Sequence, residues 1–172
     1  MTVLDVAAVL IIILLALGWR LSWLATRVDR AHARAERTWA ALDAALIRRA
    51  QRATELVQIP GVDPASALLV SDAAAAALEA DLDHHQREQA ESDLSHVLEV
   101  VAPSLTPGPD GLVAEQDRAS LSRRLHNDAV ATAWSLRRRR VVRTFRLAGH
   151  AEEPQPFEMA DGRPLLWPGD GS

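Results

Sequence analysis

The sequence of 172 residues contains no cysteine, no lysine and no tyrosine, and only two phenylalanines. Without cysteine the chain can form no disulfide, no thiolate metal site and no cysteine nucleophile. All 19 basic residues are therefore arginine. Alanine and leucine dominate, and β-branched runs are scarce outside the first segment, so the composition favours helix over strand. We expect an all-α chain with one domain and appendages.

Signatures of common enzyme chemistries are also missing. The sequence has no Gly-rich phosphate loop, no Gly-x-Ser-x-Gly and no His-Glu-x-x-His motif. His84 and His85 stand among acidic residues at spacings that could hold a metal, but no second cluster completes a coordination shell. We predict that the protein is not an enzyme and uses no metal or cofactor. The polar and aromatic residues that we assign to packing or polar contacts instead are His32, Trp39, His126, Asn127 and Trp134.

One long apolar run stands at the start of the chain. Val3–Leu24 supplies the roughly 20 residues that a helix needs to cross a hydrocarbon core of about 30 Å, provided that Arg20 reaches the headgroups. Trp19 and Trp23 flank Arg20, as aromatic residues do at a membrane interface. We predict a transmembrane anchor in residues 1–26, with Trp19, Arg20 and Trp23 at the interface.

Two other interpretations of this run, a cleaved signal peptide and a buried soluble helix, fit less well. A signal peptide would have positive charge before the apolar run and small residues at a cleavage site, whereas this run carries Asp5 near its start. The uncharged Ile-Ile-Ile-Leu-Leu centre argues against a buried soluble helix. The basic residues that follow the span are Arg20, Arg27, Arg30, Arg34 and Arg37. They predict an inner-membrane protein with its N-terminus outside and its C-terminal part in the cytoplasm.

A cytoplasmic helical bundle is expected at residues 27–148. We predict three helices, at about 27–58, 64–101 and 112–147, followed by an extended or disordered Pro/Gly-rich tail at 149–172, from which Phe157 and Trp167 could dock. Three helices of similar length with short turns should pack antiparallel, in an up-down-up bundle.

Apolar stripes predict which helix faces are buried. The stripe of helix one comprises Val28, His32, Ala35, Trp39, Leu42, Leu46, Arg49, Ala53 and Leu56. Arg49 breaks this stripe, and the pattern does not decide whether it points in or out. Helix two carries two stripes, Leu68, Ala75, Leu78, Leu82 and His85, then Leu94, Val97, Leu98 and Val101. The apolar residues of helix three are Leu121, Leu125, Val130, Trp134, Val141 and Phe145.

Charge is segregated along the chain. Residues 60–101 carry one Arg against nine acidic residues, whereas residues 112–146 carry nine Arg against three. The up-down-up order would gather a basic cluster at the pole far from the membrane, out of reach of lipid. Its members are Arg48, Arg49, Arg137, Arg138, Arg139, Arg140 and Arg143. The cluster could bind a partner or a polyanion such as RNA, or it could pair with the acidic helix.

Three segments carry a resemblance to a known family. They are Trp39-Ala-Ala-Leu-Asp-Ala-Ala-Leu-Ile-Arg48-Arg49-Ala50, Leu121-Ser-Arg-Arg-Leu-His126-Asn127-Asp-Ala-Val130, and Leu147-Ala-Gly-His150 with Phe157-Glu158. Together they resemble the LemA family, from about residue 3 to residue 160. The resemblance implies a bacterial protein with one membrane span and an all-helical cytoplasmic bundle, and it brings no catalytic residue, substrate or cofactor. Departures from the family pattern are Gln51, Thr54, His126 and the lack of Pro between Pro109 and Pro154.

These observations lead to two functional hypotheses. The first is a membrane-anchored scaffold, adaptor or self-assembling protein without enzymatic activity, in which the seam of helix one or the distal pole contacts a protein partner. The alternative is a membrane-tethered binder of RNA or another polyanion through the distal Arg cluster. No small-molecule substrate is predicted.

Overall fold

The structure is a computed structural model, which describes residues 3–79, 83–101, 110–145, 149 and 152–160. All secondary structure in these residues is helical, as the composition predicted. The helices are α1 Val3–Val57, α2 Pro64–Ala77, α3 His84–Val101, α4 Asp110–Arg137 and α5 Arg140–Thr144.

Helix α1 is a single helix that covers both the predicted anchor and the first predicted bundle helix. It ends at Val57, before Gly61, whose φ of 102° lies in the left-handed region that glycine readily adopts. The apolar residues from Val3 to Leu17 are exposed. Among the described residues, α1 is the one helix long and apolar enough to cross a membrane.

The predicted second helix is two helices. The first, α2, begins as expected, because the Asp63 carboxylate accepts a hydrogen bond of 2.9 Å from the Ser66 amide and Pro64 follows at the first helical position. It ends at Ala77, and α3 begins at His84 and packs against α2.

A capping box opens α3. The Asp83 carboxylate accepts from the Gln86 amide at 2.8 Å, and the Gln86 side chain accepts from the Asp83 amide at 3.0 Å. The pattern Asp-x-x-Gln is visible in the sequence, so a local signal for a helix start was present inside the segment predicted as continuous.

The buried face of α2 also differs from the prediction. Leu68 is 71% exposed and Leu78 is 37% exposed, while Val70, Ala74 and Ala77 are buried. In a helix rich in alanine several faces are apolar, so the periodicity is ambiguous. The second predicted stripe is confirmed, since Leu94, Leu98 and Val101 are buried and Val97 is partly buried.

The predicted third helix is interrupted near its end. Helix α4 ends at Arg137, and α5 restarts after Arg139, whose ψ of 132° is extended. No proline is involved. Val142 of α5 is buried, so packing supplies the reason for the restart. The predicted core residues of this segment that are exposed instead are Leu121, Leu125, Val141 and Phe145, whereas Val130 is buried.

The chain divides into two compact units, and α1 and α4 contribute to both. The first unit comprises Met1–Arg37 and Asp128–Gln155. Its buried clusters combine Leu24, Val28, Ala31 and Ala35 of α1 with Ala129, Val130, Ala133, Leu136 and Val142 of α4 and α5. Leu24 of α1 shares a cluster with Val142, and Ala35, further along α1, shares one with Ala129, earlier in α4. Helices α1 and α4 therefore run antiparallel in this unit.

The second unit comprises Thr38–Asn127 and Pro156–Ser172. Its main cluster joins α1, α2, α3 and the start of α4. Thr38 contacts His126, and Arg48 lies beside Glu115, so α1 and α4 are antiparallel here too. This differs from the up-down-up order, in which the first and last helices are parallel. The extra chain reversal between α2 and α3 changes the direction of every later helix.

Residues 152–160 of the C-terminal segment form no helix, and part of this stretch is packed. Phe157 is fully buried, and Met159 is 7% exposed. Trp167 lies outside the described residues, as do residues 102–109 between the predicted second and third helices.

Candidate functional site

Arg49 lies at the centre of a buried polar network in the second unit. Its Nη1 donates to Ser95 Oγ and Gln116 Oε1, each at 2.9 Å. Its Nη2 donates to the Glu91 carbonyl at 2.8 Å and to Glu91 Oε2 at 2.7 Å. Helices α1, α3 and α4 are therefore joined through one guanidinium.

Glu91 is as buried as Arg49, and both are 0% exposed. Arg87 adds a second cation, with its Nε 3.3 Å from Glu91 Oε1 and its Nη2 3.1 Å from Asp43 Oδ1. Burial raises the pKa of the Glu91 carboxyl, and the charges of Arg49 and Arg87 oppose that rise. The site is a structural ion pair, and Arg49 presents no surface to a polyanion.

Arg48, the neighbour of Arg49, points the other way. Its side chain is about half exposed, and its Nε lies 3.6 Å from Glu115 Oε2. Of the two adjacent arginines predicted for the distal cluster, one is therefore in the core and one is at the surface with an acidic partner.

A cluster of rings surrounds Trp39 in the second unit. The centroid of Trp39 lies 5.5 Å from His84, 5.4 Å from His126 and 5.6 Å from Phe157. The predicted packing role of Trp39 and His126 is confirmed by these contacts and by the burial of His126.

The chain segment around Phe157 is held to this cluster by its backbone. The Asn127 amide donates to the Phe157 carbonyl at 3.1 Å, and its oxygen accepts from the Phe157 amide at 2.9 Å. The Glu158 amide donates to Glu88 Oε1 at 2.6 Å, and the Ala160 amide donates to Ser92 Oγ at 3.1 Å. Sequence reasoning suggested that Phe157 could dock, but it gave no sign of Asn127 as the receiving side chain.

The two adjacent histidines have separate environments. His84 Nε2 lies 2.9 Å from the Pro156 carbonyl and 3.4 Å from Glu88 Oε1, whereas His85 is exposed and lies 3.7 Å from the same carboxylate. Within the described part of the chain, no group of three or more candidate ligands could hold a metal ion.

The Arg run of α4 and α5 belongs to the first unit and comprises Arg137, Arg138, Arg139, Arg140 and Arg143. Arg137 Nη1 lies 3.0 Å from His32 Nε2. His32 Nε2 is also 3.0 Å from the Glu152 carbonyl oxygen. A neutral imidazole nitrogen can satisfy only one of these two contacts, depending on the tautomer of His32. Arg138 lies over the ring of Trp134, 5.8 Å from its centroid.

The remaining members of the run are at the surface. Arg139, Arg140 and Arg143 are exposed, and none is paired with an acidic residue among those that the structure describes. Arg140, Arg143 and Thr144 line a shallow depression. Within their unit, Val142 packs with Leu24 and Val28 of α1, and Arg137 lies beside His32. That these arginines gather with Arg48 and Arg49 at a pole far from the membrane stays a prediction.

The predicted interface residues are exposed on the same part of α1. Trp19 is 79% exposed and Trp23 is 53% exposed, and Arg20 between them is also exposed. The guanidinium of Arg27 lies 5.5 Å from the centroid of Trp23.

Comparisons with known proteins identify no relative. No family model matches the sequence, and neither a curated protein nor a solved structure is significantly similar to it.

Proposed function

We propose that this protein is a membrane-anchored helical adaptor without enzymatic activity, which presents its helical part to a protein partner or to another copy of itself. The observation that carries the proposal is the exposed apolar surface of α1 from Val3 to Leu17, in a helix whose later residues form part of both cores. In water this surface would be costly, since each exposed aliphatic side chain forgoes about 1.5–3 kcal/mol of burial.

We place the helical part at the inner face of the membrane, with the N-terminus outside. Five arginines follow the apolar segment within one positively charged stretch, whereas Asp5 lies near its start. Alkaline extraction of membranes should leave the full chain in the pellet and release a chain that lacks residues 1–24. A reporter fused after Ser172 should be active only in the cytoplasm, and periplasmic activity would reverse the orientation.

The adaptor surface that we favour is on α2. The predicted stripe of α1 packs against other parts of the same chain, so this face of the helix is not available to a partner. Leu68 and Leu69 are 71% and 55% exposed, side by side on a short apolar helix. Neighbouring exposed leucines of this kind often mark a protein contact.

The test compares two matched pairs of substitutions in full-length protein cross-linked in its own membranes. Leu68→Ser with Leu69→Ser should abolish the recovery of a specific cross-linked protein. Leu121→Ser with Leu125→Ser, a pair on α4 that is 57% and 47% exposed, should leave it unchanged. Equal recovery in both variants would remove α2 as the docking surface, and recovery of this chain alone would indicate self-assembly.

The polyanion alternative receives less support than the adaptor. Arg49 is buried and Arg48 has an acidic neighbour, so α1 adds little to the basic cluster that the sequence predicted. Nuclease treatment during the same recovery should therefore not change which partner is obtained.

We further propose that the chain is a divergent member of the LemA family. Residues from all three resembling segments are joined in one unit, since Trp39 lies beside His126, and Asn127 holds Phe157. A set of related sequences in which the residues at 39, 127 and 157 vary together would support this assignment, and independent variation would count against it.

A further inference from the structure

The Arg run and α5 form a surface beside the point where α1 leaves the predicted span. We define the juxtamembrane patch as Arg139, Arg140, Val141, Arg143 and Phe145. All five are exposed, and Val141 and Phe145 are 45% and 51% exposed. The patch thus combines three cations with two large apolar side chains on a segment of seven residues.

Packing within the first unit holds this patch at a definite level of α1. Val142, inside the patch segment, is buried in the same cluster as Leu24 and Val28. A span from Val3 to Leu24 at 1.5 Å per residue is about 33 Å long, so Leu24 would lie where the hydrocarbon core of about 30 Å ends. The patch would therefore face the headgroup layer, and Trp23 on α1 is at the same level.

The chemistry of the patch matches that layer. Guanidinium groups bind phosphate oxygens through paired N–H donors, and Arg140 and Arg143 share a shallow depression in which such a group could be held. Phe145 caps the C-terminal end of α5, and its amide donates to the Val141 carbonyl at 3.1 Å, so the two apolar side chains lie one helical turn apart on the same side. Segments that lie in a membrane interface typically carry basic residues beside apolar side chains that insert into the bilayer.

We propose that the juxtamembrane patch binds the phosphate groups of anionic phospholipids in the same bilayer that α1 crosses, with Val141 and Phe145 inserted between the headgroups. The inference rests on the proposed membrane anchor. The Arg run would then bind lipid, whereas the predicted helix order implied a polyanion bound far from the membrane. A basic residue near an anionic bilayer strengthens binding by roughly five-fold, so two of them account for roughly 25-fold.

The experiment uses the full-length protein reconstituted into vesicles. The sequence has no cysteine, so an introduced one can be labelled selectively. Thr144→Cys, at the exposed end of α5, provides a single site for a fluorophore whose quenching by headgroup-labelled lipid reports contact. Vesicles of phosphatidylcholine alone are compared with vesicles of phosphatidylcholine and phosphatidylglycerol. We expect clearly stronger quenching with the anionic lipid than with phosphatidylcholine alone. This excess should be lost at high salt, which shortens the screening length from about 10 Å at 0.1 M to about 3 Å at 1 M.

Matched substitutions locate the effect. Arg140→Gln with Arg143→Gln should weaken the docking equilibrium by roughly 25-fold. Arg118→Gln with Arg124→Gln, which removes the same charge from exposed positions of α4, should change it less than two-fold. Equal quenching in the two variants, or quenching independent of anionic lipid, would overturn the proposal. All four arginines are exposed, so circular dichroism should show an unchanged fold.

A second label separates this inference from the anchor on which it rests. A fluorophore at Leu14→Cys should be quenched by lipids labelled in their acyl chains, whatever the headgroup. If that label is not quenched, the anchor itself is refuted. If it is quenched while the Thr144→Cys label ignores anionic lipid, the anchor stands and the lipid site is refuted. Free inorganic phosphate added to the solution should compete weakly, and full competition would show a site for a soluble anion instead.

Discussion

Replacing Arg49 by methionine tests whether the buried ion pair organises the second unit. Methionine keeps an unbranched side chain of similar length but removes four hydrogen bonds, two of them to Glu91. Glu91 would then be left in the core with Arg87 as its remaining cation, 3.3 Å away. Because a buried charge that has lost its partner is not resolvated, we expect Arg49→Met to lower the free energy of unfolding by about 3–5 kcal/mol at pH 7.

A double variant separates the loss of the pair from the loss of packing. Glu91→Leu added to Arg49→Met removes the stranded carboxylate, and apolar replacement of a whole buried pair is close to neutral in many proteins. The Ser95 hydroxyl would keep its 2.9 Å bond to the carbonyl of residue 91. We expect the double variant to be within about 2 kcal/mol of the wild type, so that the two substitutions are strongly coupled.

The loss caused by Arg49→Met should also depend on pH. The pKa of Glu91 already lies above its ordinary value of 4.5 because of burial, and the Arg49 charge opposes that shift. A carboxyl whose folded pKa is raised contributes its full stability below the unfolded pKa and loses it as the pH rises through the folded pKa. Arg49→Met raises the folded pKa further, so the penalty should be smallest below pH 4.5 and should grow above it.

Urea unfolding of the full chain in detergent, followed by circular dichroism from pH 4 to pH 8, measures both effects. The wild type serves as the reference at each pH, which cancels the contribution of the other carboxylates. A penalty below about 1 kcal/mol that does not change with pH would refute the buried pair. Additive effects of the two substitutions would refute their direct interaction.

Three further substitutions test the smaller elements. Asn127→Ala removes both hydrogen bonds to the Phe157 backbone, so exchange of the Phe157 amide should accelerate by an amount equivalent to about 1–3 kcal/mol, while amides in α2 keep their rates. Phe157→Ala should destabilise the second unit by about 3–5 kcal/mol and expose residues 152–160 to limited proteolysis, and unchanged cleavage would mean that the ring does not hold this segment. Asp83→Ala should cost about 1 kcal/mol in thermal unfolding through loss of the α3 cap, and Asp63→Ala should cost a similar amount at the start of α2.

Local signals in the sequence determined the elements of this fold well where one pattern dominated. The heptad stripe of α1 is buried at Val28, Leu42 and Leu46, and the helix ends where Pro60 and Gly61 forbid its continuation. Helix α2 starts at Pro64, as predicted, and Asp63 caps it. These features depend on side-chain periodicity and on backbone geometry within a few residues, which the sequence states directly.

Tertiary structure decided the orientation of Arg49, the directions of the helices and the position of the Arg run. An arginine in an apolar stripe can face either way, and only the arrival of Glu91, Ser95 and Gln116 from other helices makes the inward position stable. The break before α3 adds one reversal of the chain, which brings the end of α4 to the start of α1 in the first unit. Periodicity carries no information about such reversals, because it is the same for a helix that runs in either direction.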